Sequence, residues 1–563
     1  MNSTSSRAQA RSATAPLPTS HALAARHRQR PGRAARALCL AVWLAALGGW
    51  PASQISAQAL PSLGEADGFS VGDERRIGDQ IARQLYRDPD YIDDPVLQEY
   101  VQDIWLALMQ AARKKGALDD ALGEQFAWRV LLGKDRSVNA FALPGGYFGL
   151  HLGLINAVDS RDELASVMAH ELSHVSQRHI ARLHAQNARQ TPLLIASMVL
   201  GALAASKNPD AAQAVVAGGQ ALAMQNSLSF SRSMEQEADR IGLGLMAPAG
   251  FDPAGFIGMF DKLSQANRFN DNGAYPYLRT HPLTSQRQSD LQARLPQSQP
   301  RHARPAASMA HAMVVARSRV LSLGKVDFLR SAVQSAQPLA RTAPAQAGQG
   351  ASDATAASAE QAGRLYAGAL AAAQLRDAEQ AKALADALSV RSAGDAAAHR
   401  LAQLLQLELA LSLRDAAWAR TALAGIDSRQ RKRPELFLRT AYWAGAEQVG
   451  AAAEPSAAQA RAELAGQWQG WLQEHPDDAG AWQQLARIWA AQQQPLRAIR
   501  AEAEAQAARL DYAAAIDRLK AGQHMVRQLG AQADHVDASI LQSRLAAIEQ
   551  LHKASEDALK RLK

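Results

Sequence analysis

The chain has 563 residues, of which 61 are Lys or Arg and 53 are Asp or Glu, with a formal charge of +8 and one cysteine. That length is too great for one core and predicts two domains, while the lone Cys39 excludes a disulfide framework. The positive charge is local: the first 59 residues hold seven arginines and no acidic residue. The rest carries 54 basic against 53 acidic residues, so the composition gives no argument for nucleic-acid binding.

In chain order, an apolar run at Ala37–Leu47 is too short to span a bilayer and leads to Ala57-Gln58-Ala59, a signal-peptidase pattern before Leu60. Residues 1–59 are therefore expected to be a cleavable signal peptide, and without an Arg-Arg pair the general secretory route is expected. Phe126 to Leu132 and Val138 to Gly146 are β-prone and predict a hairpin or short sheet. Ser160-Arg161-Asp162-Glu163 forms a capping-box pattern. Leu164, Val167, Met168, Leu172 and Val175 follow at helical spacing.

That helix carries His170-Glu171-Leu172-Ser173-His174. Residues four apart project from one helix face, so the two imidazoles can share one Zn²⁺ at about 2.0–2.1 Å. Glu171 then lies beside the metal, placed to take a proton from water there. The metzincin continuation is absent, because Gln177 and Ile180 stand where Gly and His would be needed. His179 and His184, continuing the same helix, rotate away from the metal and are expected in solvent; His151 is expected to pack. Pro192–Ala205 and Ala211–Ala223 are apolar but each too short for a membrane span. They predict a helical hairpin that packs on the first domain or lies against a membrane or partner.

A third ligand is needed to complete such a site. In a helix through Ser231–Gly242, Glu235 and Asp239 share a face, with Glu237 about 200° from Glu235. Glu235 can coordinate the metal, and Asp239 can accept the second N–H of a ligating histidine. Further on, Pro296–Ser308 reads as a domain boundary and Gln337–Ser358 as a flexible linker or long loop. The Ala- and Leu-rich remainder has helical spacing.

Met168 to His174, Ser231-Arg232, Glu235 to Gly242 and Thr280-His281-Pro282-Leu283 together resemble the HtpX and CAAX prenyl protease family of zinc peptidases. The likeness is strongest to its soluble periplasmic branch, which ends in a tetratricopeptide domain, and its specific motifs cover roughly residues 60–305. The resemblance implies an α+β, mostly α fold, with a zincin-type metalloprotease domain at 60–305 and a connecting helix and linker at 306–360. Residues 361–563 would be an α-helical tetratricopeptide-like repeat domain. Gly363–Ala371, His475–Trp489 and Tyr512–Ile516 resemble such helices, with three to five degenerate pairs expected and a concave binding surface; a plain helical bundle is the alternative.

The same resemblance makes His170, His174 and Glu235 the ligands of one Zn²⁺, Glu171 the general base and Asp239 the carboxylate behind a ligand. It makes His281 a fourth ligand that holds the enzyme inactive until it moves, and Val138–Gly146 an edge strand beside the metal. Arg287 is expected to position substrate or an acidic partner. The implied partners are unfolded or misassembled outer-membrane β-barrel proteins and, through the helical repeats, the outer-membrane assembly machinery, in the periplasm. The competing reading is a periplasmic chaperone or scaffold whose zinc site stays capped by His281; a helical scaffold with an accidental metal motif would bind no zinc.

Overall fold

The helix that carries the His-Glu-x-x-His run is buried on every side: each residue from Glu163 to Val175 is inaccessible. Such a helix must be central, and its polar residues need partners. Ser160 caps it by accepting the Glu163 N–H at 3.1 Å. The other half of the expected capping box does not form. The Glu163 carboxylate instead accepts from the Asp159 N–H and from Lys262, each at 2.7 Å.

The computed structural model describes residues 70–186, 232–268, 275–295, 308–342, 351–445 and 456–562. The expected signal peptide, the apolar 192–223 segment and most of the 296–308 boundary lie outside them. Around the central helix stand α1 (Val71–Arg87), β1 (Tyr91–Ile92), α2 (Pro95–Lys114), α3 (Asp120–Gln125), β2 (Arg129–Gly133), β3 (Ala140–Leu143), β4 (Tyr147–His151) and α4 (Leu152–Ala157). The central helix is α5 (Arg161–Ser176). It is followed by α6 (His179–Gln186), α7 (Arg232–Met246), α8 (Ala254–Arg268), α9 (Tyr277–Thr280) and α10 (Ser285–Arg294).

The four strands lie in the order β1-β2-β4-β3. β3 and β4 form an antiparallel hairpin, and β2 runs parallel to β4, so the two β-prone segments share one short sheet without pairing with each other. β3 is thus an edge strand, and it packs beside α5. α7 packs on the other flank of α5. Gly242 allows that approach, since a Cβ there would sit 3.1 Å from the backbone of Ala169 and His170.

The rest is helical, beginning with α11 (Met309–Leu323), α12 (Val326–Arg341) and α13 (Ala351–Gln374). Much of the expected linker at 337–358 is therefore helix. Its alanine-rich composition favours helix, and α13 buries Ala362, Leu365 and Tyr366. Helices then alternate at 378–392, 396–413, 416–424, 433–444, 457–474, 479–491, 495–508, 512–529 and 535–562. Asp377, Asp395, Asp415, Asp478 and Asp511 each cap the next helix by accepting a first-turn N–H, which satisfies donors the helix cannot.

The described residues from Ser70 onward belong to one compact unit. Its main cluster of buried apolar residues runs from Val96 to Ala501. Charges also join the two parts. Asp94, which caps α2 through the Leu97 N–H, takes a forked pair of bonds from buried Arg317 on α11, and that guanidinium also holds Glu408 at 2.7 Å.

Candidate metal centre

α5 presents His170 and His174 on one face, and α7 brings Glu235 and Asp239 against it. His281 arrives from the end of α9, its N–H bonded to the Tyr277 carbonyl at 2.9 Å and its ring stacked on Tyr277 at 4.6 Å. His170, His174, Glu235 and His281 are all buried, and each has a ligand atom within 4.8 Å of the others'.

The spacing fits a cation. Nε2 of His170 lies 3.0 Å from Nε2 of His174, 3.3 Å from Nδ1 of His281 and 3.4 Å from Oε2 of Glu235. Glu235 Oε1 lies 3.4 Å from His174 Nε2 and 3.1 Å from His281 Nδ1. A tetrahedron with arms of about 2.05 Å has edges of about 3.3 Å. Three imidazoles and one carboxylate are also a donor set that zinc accepts. The residues present therefore fit the metal.

Asp239 stands where the α7 periodicity put it, with Oδ1 3.0 Å from Nδ1 of His170. A carboxylate there fixes the ring with its proton on Nδ1 and leaves Nε2 as the ligand. Burial opposes charging His170, but its bonds to Asp239 and Glu235 prevail and push its pKa up to about 9. For Glu235, burial is outweighed by His281 and His170, which hold its carboxyl well below the usual range. Burial drives His174 the other way, well below the usual imidazole value. A metal would take over the role of these protons.

Glu171 is fully buried, and burial raises its pKa. Its Oε2 accepts the Ala142 N–H of β3 at 3.0 Å, while Oε1 faces His281 Nε2 at 3.3 Å. The edge strand thus orients the carboxylate, and His281 occupies the corner of the cluster that Glu171 faces.

Two expectations are corrected. Arg287 is buried, not offered to substrate: its guanidinium forks onto Asp239 at 2.6 and 2.8 Å and reaches Glu235 at 2.8 Å. His179 is also buried, with no exposed surface. α5 stops at Ser176, and Arg178, at φ 50° and bonded to buried Glu74 at 2.6 Å, turns the chain. A new helix starts at His179, so extrapolating α5 put the ring on the wrong side; no Gly or Pro marks the break. Its Nδ1 lies 2.8 Å from Nδ1 of His174, and its Nε2 3.2 Å from Glu237. The side chain of His184 lies outside the described residues. His151 packs as expected, bonded to Ser137 Oγ at 2.9 Å.

Comparison with known proteins agrees with this geometry. Residues 95–295 match the model of peptidase family M48. A Vibrio cholerae relative is 36% identical over 262 residues, covering 46% of this chain and 52% of its own. The beta-barrel assembly-enhancing protease of Escherichia coli K12 is 35% identical over 252 residues, 44% of this chain and 50% of that one. Mitochondrial metalloendopeptidase OMA1 of Arabidopsis thaliana is 34% identical over 192 residues, 34% and 36% of the two chains. The chain thus spans about half the length of the bacterial relatives it matches.

Proposed function

We propose that this chain, whose residues 95–295 match peptidase family M48, is a zinc-dependent endopeptidase of the bacterial periplasm acting in outer-membrane protein quality control. The observation that carries the reading is the buried four-donor cluster of His170, His174, Glu235 and His281 with Glu171 beside it. Zinc, when bound, would polarise the scissile carbonyl and make water acidic enough to lose its proton near neutral pH. Glu171 takes that proton, its Oε2 held by the Ala142 N–H so that Oε1 faces the reacting atoms, and then delivers it to the leaving amine. Asp239 and Arg287 keep His170 in the ligating tautomer. An extended substrate adds to the outer edge of β3 through main-chain hydrogen bonds.

His281 must leave for this to happen. It fills the corner that water and substrate need and engages Glu171, so the arrangement is a resting one. The bacterial relatives' name, beta-barrel assembly-enhancing protease, supports a part in β-barrel assembly; in this reading the substrates are unfolded or misassembled outer-membrane β-barrel proteins, and the helical C-terminal half is the contact to the assembly machinery. Among the described residues no helix is long and apolar enough to cross a membrane; the apolar 192–223 segment lies outside them. The His281 position also favours a second reading, a chaperone with a latent site.

The test is cleavage of an unfolded protein by the full chain, by Glu171→Gln and by wild type with a zinc chelator. Activity lost in the last two supports the endopeptidase. An unaltered rate in either defeats it, and no cleavage at all with zinc bound favours the chaperone.

A further inference from the structure

We propose that His179 is a positioning residue that fixes the tautomer of His174 through a one-way hydrogen-bond chain ending on Glu237. The inference rests on the zinc reading above. His174 turns Nε2 toward His170 and Glu235, at 3.0 and 3.4 Å. A neutral imidazole that offers the Nε2 lone pair must carry its proton on Nδ1. That proton faces Nδ1 of His179 at 2.8 Å, so His179 accepts there and keeps its own proton on Nε2. Nε2 then donates to Oε2 of Glu237 at 3.2 Å, and Arg182 holds the same oxygen at 2.8 Å. Every donor in the chain has an acceptor.

The reverse arrangement does not serve a metal. If His179 donated from Nδ1, the neutral His174 would carry its proton on Nε2, between His170 and Glu235, where a cation would meet N–H instead of a lone pair. The two ligand histidines are therefore supported differently: His170 directly by Asp239, His174 by a neutral imidazole with a carboxylate one step behind. Both devices settle ring orientation before the metal arrives, the usual role of groups behind a ligand.

The full chain is titrated with zinc against a competing chelator, and thermal unfolding in excess chelator reports the fold independently of metal. His179→Leu removes the acceptor while keeping bulk, and is expected to weaken zinc binding about 10–100-fold. His179→Asn places an amide oxygen close to the lost Nδ1 and is expected to bind near wild type. His179→Gln, whose amide reaches the Nε2 position instead, is expected to bind weakly. Asn and Gln variants with equal affinity, or a folded Leu variant as tight as wild type, would overturn the proposal while leaving the zinc site standing. Wild type that holds no zinc would remove both. If the Leu variant does not fold, the Asn and Gln pair decides.

Discussion

His311 links stability to pH in a way that can be worked out from its surroundings. It lies on α11 with Nδ1 2.6 Å from the Tyr100 hydroxyl and Nε2 3.4 Å from the Val158 carbonyl, and only 5% of its surface is exposed. Burial lowers its pKa from 6.5 to about 4. The unfolded chain thus takes up this proton before the folded one does. The contribution to stability is complete above pH 6.5 and is lost as pH falls through 4. At 1.36 kcal/mol per pH unit, the full loss is about 3 kcal/mol, and linkage puts about 2 kcal/mol of it above pH 5. His311→Gln cannot titrate. Denaturant unfolding of both proteins at pH 7.5 and pH 5 should show wild type losing about 2 kcal/mol more than the variant, all other groups being common to both. Curves that stay parallel to within about 0.5 kcal/mol would refute a buried, neutral His311.

Three further outcomes follow from the site. His281→Ala opens the blocked corner and should raise cleavage of an unfolded protein about tenfold for every 1.4 kcal/mol by which the cap is favoured; an unchanged initial rate would dismiss the cap. Arg287→Met strips Asp239 and Glu235 of their shared cation and should cost the metal-free protein about 3–5 kcal/mol, read as a fall in denaturant midpoint with chelator present. Gly242→Ala drives a methyl against the α5 backbone. It should displace Glu235 and Asp239 enough to cut turnover about 100-fold, and wild-type turnover would show that α7 has slack.

The chemistry was most legible where it follows helical periodicity. His170 and His174 one turn apart, and Glu235 and Asp239 one turn apart, need only two helices and a reason to meet. The short sheet was also legible, from the β-prone Phe126–Leu132 and Val138–Gly146, but not its order, because β4, which the sequence did not single out, lies between them. The helical nature of the second half was legible from its Ala- and Leu-rich helical spacing. The linker was misread because an Ala, Gln and Ser composition suits a loose loop and a packed helix equally well. Only the burial of one face by Leu365 and Tyr366 separates them.

What sequence could not supply were contacts that exist only after folding. Arg287 looks like any basic residue near a cleft, yet it lies 48 positions after Asp239 and pairs with it in the interior. An unpaired buried guanidinium would be costly, and so would two buried carboxylates, so each makes the other tolerable. His179 shows the other limit. A helix pattern extends as far as the next visible breaker, and Gln177-Arg178 contains none. The turn there depends on Glu74, about a hundred residues earlier, whose buried carboxylate meets Arg178. The ring behind His174 is therefore placed by α1, an element with no ligand of its own. Loosening α1 should disturb the metal centre even though none of its side chains belongs to the donor set.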